Sequence, residues 1–154
     1  VLRRWIVAGD IGGQAVTAAM VLLPVFVQVG LTFAVLMAMA VARTNAIRSG
    51  QTKLKDIALR QPNWPERPTQ IANCLSNQFE LPVLFYALIA IALPLRHADL
   101  VIVLLSWVFV VTRLIHAGIF VTSNDVRQRS LAWFVGVLAL LIMWVWFAIG
   151  VLAA

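Results

Sequence analysis

Charge is scarce in this chain of 154 residues: Asp, Glu, Lys and Arg make up 12% of it, while 62% is apolar. Soluble globular domains carry about twice that share of charge and only roughly 45–50% apolar residues. A conventional soluble enzyme, a disordered chain and a coiled coil are thereby excluded, and the length fits one domain. Cysteine occurs once, at Cys74, so no intrachain disulfide can form, and no Cys/His cluster has metal-ligand spacing. The only histidines, His97 and His116, would stand roughly 28 Å apart along a helix, too far to clamp one haem within a chain. No G-x-x-x-x-G-K-[ST] phosphate loop, G-x-S-x-G nucleophile elbow, internal repeat or low-complexity tract is present. A net charge of +6 alone would point to a nucleic-acid partner, but the charges sit between apolar runs. That distribution fits a bilayer and no nucleic acid.

Four apolar runs carry the fold, approximately residues 17–42, 74–95, 100–121 and 131–154. Each holds the ~20 residues a helix needs to cross a hydrocarbon core of ~30 Å. They do not alternate with period two, and lipid offers no partner for unpaired strands. The expected fold class is therefore all-α: a single four-helix transmembrane domain over residues 1–154. Ala38-Met39-Ala40 resembles a signal-peptide cleavage site, but the run is too long and too far from Arg3 and Arg4, so it reads as a mature helix.

The basic residues give an orientation. Arg43, Arg48, Lys53, Lys55, Arg60, Arg67, Arg127 and Arg129 fall on one side, against Arg3, Arg4 and Arg96 on the other. The richer side is expected to be cytoplasmic, with loops 1 and 3 there and both termini opposite. Loop 1 ends in Pro62, Pro65 and Pro68, so helix 2 is expected to start near residue 69 and project below the membrane before entering it. Its basic stretch reads as topology plus contact with anionic lipid. Gly30, Ala34, Ala38 and Ala42 recur every four residues and read as a packing seam for a neighbouring helix. Pro24 and Pro82 free the carbonyls of Met20 and Gln78. Trp133, Trp144 and Trp146 read as interfacial anchors near the two ends of helix 4.

Polar residues inside the runs are the informative ones. Asn77 and Glu80 on helix 2 fall roughly 5 and 9 Å below the surface, and His116 and Arg113 on helix 3 roughly 8 and 12 Å. Arg129, at the cytoplasmic start of helix 4, can reach the same layer. An ionised group in hydrocarbon is costly unless paired, so Glu80 and Arg113 are expected to face each other. Two readings follow: a buried ion pair that fixes helix register, or a polar pocket open to the cytoplasm. Helical spacing supports either one, since Asn77 and Glu80 share a face, as do Arg113 and His116.

Asn77-Gln78-Phe79-Glu80-Leu81-Pro82 with the aromatics Phe85 and Tyr86 resembles the helix-2 signature of the MAPEG family, the membrane-associated proteins in eicosanoid and glutathione metabolism. Arg113-Leu114-Ile115-His116 is similar to its helix-3 Arg-x-x-His/Tyr motif, and Arg129 stands where the family places an arginine at the start of helix 4. The resemblance spans nearly the whole chain and suggests a bacterial-type member in the inner membrane. It implies a homotrimer of four-helix subunits with sites between neighbours, using glutathione as co-substrate. Asn77, Glu80, Arg113, His116 and Arg43 would contact glutathione, and Arg129 would be the catalytic group. A free thiol with a pKa near ~8.5 is mostly protonated at neutral pH, and a fixed guanidinium favours the nucleophilic thiolate. A lipophilic electrophile would arrive through the bilayer.

The chain departs from the family pattern at four places: Asn73 and Ser76 stand where arginines are common, and Phe120 and Trp133 where tyrosines are. The leading reading is a glutathione-dependent transferase or peroxidase. The alternative is a non-enzymatic membrane protein that binds lipid or a membrane partner, with a purely structural polar layer. A small transporter using Glu80 is a third reading, weakened by the position of Glu80 near one face and by the charge bias. Cys74 reads as packing rather than as a reactive thiol.

Overall fold

A computed structural model describes residues 16–59 and 63–153. Arg3, Arg4 and Arg60, counted above, and Ala154 lie outside the described residues. Five α-helices follow one another: α1 (Ala18–Arg48), α2 (Glu66–Asn77), α3 (Leu81–Ala92), α4 (Leu100–Val121) and α5 (Val126–Leu152). Because α2 and α3 together act as one span, the chain has four segments long and apolar enough to cross a membrane. This is the all-α bundle expected from composition.

Each helix start has a local cause. The Thr17 side chain accepts from the Met20 amide, Asp99 from Ile102, and Asp125 from both Arg127 and Gln128, satisfying donors that have no partner in a first turn. α4 has the bounds read from the sequence, closed by Asn124, whose φ of 53° lets its amide reach the Ile119 carbonyl at 2.8 Å. The α1 helix runs six residues beyond the apolar run, and α5 begins five residues before it. Hydropathy marks where lipid ends, whereas backbone hydrogen bonding and capping mark where a helix ends. Pro24 is accommodated inside α1 without a break.

The second span departs from the expected continuous helix. Pro82 has no amide to give the Gln78 carbonyl, and the α-helix stops at Asn77. The amides of Gln78 and Phe79 fall back on the carbonyls of Leu75 and Ser76, three residues earlier. Glu80 takes φ −98° and ψ −101°, and α3 restarts with Pro82 in its first turn. Gln28 of α1 braces this break. Its Nε2 donates to Gln78 Oε1 at 2.9 Å, with both residues fully buried.

Two cores hold the bundle. The larger packs Phe85 and Leu88 of α3, Ile102, Phe109 and Val110 of α4, and Met143 of α5, with the Phe85 and Phe109 rings 4.9 Å apart. The smaller gathers Val35, Ile71, Cys74, Ala117 and Phe120 where α1, α2 and α4 meet. Side chains of α2 cap the end of α4: Arg67 donates to the Val121 carbonyl and Gln70 to that of Phe120. The end of α4, the start of α2, the end of α1 and the start of α5 therefore share one pole, which holds nearly all the basic side chains among the described residues. At the other pole Trp146 donates to Asp99 Oδ2 at 2.8 Å.

The small-residue strip of α1 is not an internal seam. Gly30, Ala34 and Ala38 are exposed, and a Cβ at Gly30 would meet nothing within 4 Å. Close helix approach occurs instead between α4 and α5, at Gly136.

Candidate functional site

Arg113, His116 and Arg129 converge at the basic pole where α4 packs on α5. Arg113 is only 1% exposed. Its Nη2 lies 3.4 Å from the Ala132 carbonyl, its guanidinium sits 5.7 Å from the Phe109 ring, and its Nε has no hydrogen-bond partner. Gly136 makes the room: a Cβ there would stand 2.8 Å from Thr112 Oγ1 and 2.9 Å from Arg113 Nη2. One turn further along α4, His116 Nδ1 pairs with the Arg129 carbonyl at 2.8 Å, leaving Nε2 buried and unpaired.

Arg129 lies on the second turn of α5. Its Nη1 donates to Asn124 Oδ1 at 2.5 Å, and its guanidinium stacks 4.0 Å above the Phe120 ring. Phe120 also meets the His116 ring edge-on at 5.6 Å. Cys74 is fully buried beside this group, packed in the smaller core with Phe120 and Ala117. The start of α5 adds the partial positive charge of a helix N-terminus. Among the described residues no carboxylate makes an ion pair with this cluster.

The expected Glu80–Arg113 ion pair is therefore not formed within the chain. The break after Asn77 takes Glu80 off the α2 face, and its carboxylate is exposed. Asn77 is half-buried and donates back to the Asn73 carbonyl at 3.0 Å. Arg43, toward the end of α1, has its guanidinium 4.7 Å from the Trp64 ring and its Nε buried without a partner. The six residues singled out by sequence thus divide into a trio on α4 and α5, with Arg113 and His116 buried and Arg129 half-buried, a flank on the α2 side, and Arg43 against Trp64.

Sequence reasoning missed Gly136 and the Gln28–Gln78 bond. A lone glutamine in the apolar run of α1 was the available signal for the second; nothing local marks the first, because its reason is a side chain on another helix. Among the described residues no three His, Cys, Asp or Glu side chains group as a metal site.

Comparison with individual curated proteins gives no match, and neither does comparison with solved structures. The profile of the MAPEG family matches residues 21–149, from α1 to near the end of α5 and across all three motifs. With that match covering most of a chain whose four segments are long and apolar enough to cross a membrane, this chain belongs to the MAPEG family of membrane proteins.

Proposed function

We propose that this protein is a glutathione-dependent membrane transferase or peroxidase acting on lipophilic electrophiles. The observation that carries the reading is the cationic cluster itself. Arg113 and Arg129 stand in one cluster, Arg113 with its Nε unspent, and among the described residues no carboxylate is paired to them. A buried cation without a counter-ion is costly, and an anionic ligand would supply what is missing. Glutathione, a tripeptide with two carboxylates and a thiol, has that chemistry; when bound it brings a nucleophilic sulfur.

The geometry supports a role for each residue. Asn124 and the Phe120 ring hold Arg129 from two sides, so its guanidinium is pre-positioned to favour a thiolate over a thiol. The free Nε–H of Arg113 is a donor left for the peptide, and Nε2 of His116, whose Nδ1–H is spent on the Arg129 carbonyl, is an acceptor, with Asn77 and Glu80 on the α2 flank and Arg43 beside Trp64. The exposed strip on α1 supports assembly as a homotrimer, in which a neighbour covers what the single chain leaves open. Loops 1 and 3 would then face the cytoplasm, in a bacterial inner membrane.

One observation favours the alternative of a non-enzymatic, lipid- or partner-binding protein. Phe120 puts a ring against Arg129 where the family often has a hydroxyl. Asn73 and Ser76 supply no cation; the Ser76 hydroxyl turns back to the Ala72 carbonyl. Glutathione titration of the detergent-solubilised protein separates the two. Saturable binding, weakened in Glu80→Gln, with less thiolate absorbance in Arg129→Ala, is expected of the enzyme. No binding at millimolar glutathione with the oligomer intact would establish the alternative.

A further inference from the structure

The apolar run of α1 ends at Ala42, yet the helix continues through Arg48, roughly 9 Å further. That extra length is comparable to the headgroup layer on one side of a bilayer. The chain does not then run out into water. Gly50, with φ 75°, reverses it, and the Thr52 amide returns to the Ala46 carbonyl at 3.2 Å. The Thr52 hydroxyl meets the Asn63 carbonyl, and Asn63 Nδ2 donates to the Asp56 carbonyl at 2.6 Å. Trp64 then stacks on Arg43, placing an aromatic–arginine pair where the apolar run stops. The loop is thus folded back beside the end of α1, at headgroup level.

Its 3₁₀ turn, Leu54–Asp56, presents an unusual side chain for a surface turn. Leu54 is 67% exposed, between exposed Lys53 and Lys55 and near exposed Arg48. An apolar tip flanked by cations has the chemistry of a wedge for anionic phospholipid: acyl chains take the leucine, and headgroup phosphates take the ammonium and guanidinium groups. We propose that the α1–α2 loop is an anionic-lipid anchor, in which Leu54 inserts at the edge of the hydrocarbon while Lys53, Lys55 and Arg48 bind phosphate. The anchor is independent of what the arginine cluster binds.

Spin labelling tests this on the full chain reconstituted into vesicles. A nitroxide is attached at Leu54→Cys; Cys74, being fully buried, stays in place, and the parent chain carried through labelling gives the background. In vesicles containing phosphatidylglycerol the label is expected to be open to oxygen and shielded from a water-soluble nickel chelate. In phosphatidylcholine alone it is expected to face water. Each basic residue near an anionic surface contributes roughly fivefold, so K53Q/K55Q should lower the docked-to-undocked ratio by about 20- to 30-fold. Equal accessibility in the two lipids, or no response to K53Q/K55Q, would overturn the proposal.

Discussion

Gly136 of α5 and Arg113 of α4 are fitted to each other: a side chain as small as methyl at position 136 would come within 2.9 Å of the guanidinium. The bulkiest fully buried polar side chain among the described residues is admitted by the absence of the smallest one. Gly136→Ala is therefore expected to destabilise the solubilised protein by about 1–3 kcal/mol through overpacking. Gly118→Ala, where a Cβ meets nothing within 4 Å, should change stability little or raise it. Thermal unfolding of the two variants checks the contrast; equal losses would remove the close-approach argument.

The Gln28–Gln78 bond predicts non-additive costs. Each single change to leucine strands a buried amide and should cost about 1–3 kcal/mol, because the orphaned group keeps its desolvation penalty. The double variant Q28L/Q78L should lose less than the sum of the two. A double-mutant cycle on unfolding in detergent reads this coupling, and additive losses would show that the bond contributes nothing.

Asn124 orients Arg129 under the proposed function. Asn124→Ala should leave glutathione binding nearly intact while lowering thiolate formation, since it frees the guanidinium without removing it. Arg129→Ala should lose thiolate formation altogether. Thiolate absorbance against pH, recorded for both variants, distinguishes positioning from charge.

Phe120→Tyr adds a hydroxyl beside His116 and Arg129 and restores a feature common in the family. If glutathione binds there, one further hydrogen bond of ordinary strength raises affinity roughly threefold to tenfold. Unchanged affinity would mean that position 120 does not line the peptide site.

At the opposite pole, Asp99 both caps α4 and accepts from Trp146. Trp146→Phe should cost about 0.5–1.5 kcal/mol. Asp99→Ala loses the cap as well and should cost more. Comparing the melting temperatures of the two variants checks the order.

The class of fold was legible because twenty-residue apolar runs have one physical outcome in a bilayer. The bounds of α4 were legible too, since Asp99 marks its start and the turn at Thr122–Asn124 its end. What stayed hidden required knowledge of distant neighbours. Glu80 and Arg113 invite pairing on charge alone, yet the interruption at Pro82 decides where Glu80 points and the gap at Gly136 decides where Arg113 lies. Arg129 and His116 were expected to share a layer, and they do, but through a backbone carbonyl that carries no sequence signature.

The interrupted second span also bears on how the protein is made. Its two rods of 12 residues are each roughly 18 Å long, and neither can cross the hydrocarbon alone. The backbone groups exposed where the rods meet cannot be left to lipid. Gln28 sits on α1, which leaves the ribosome before α2 and α3, so this brace is already in the bilayer when the split span arrives. Synthesis from the N-terminus thus supplies the partner before the vulnerable junction needs it. Moving α1 to the end of the chain by circular permutation would reverse that order and leave the junction waiting.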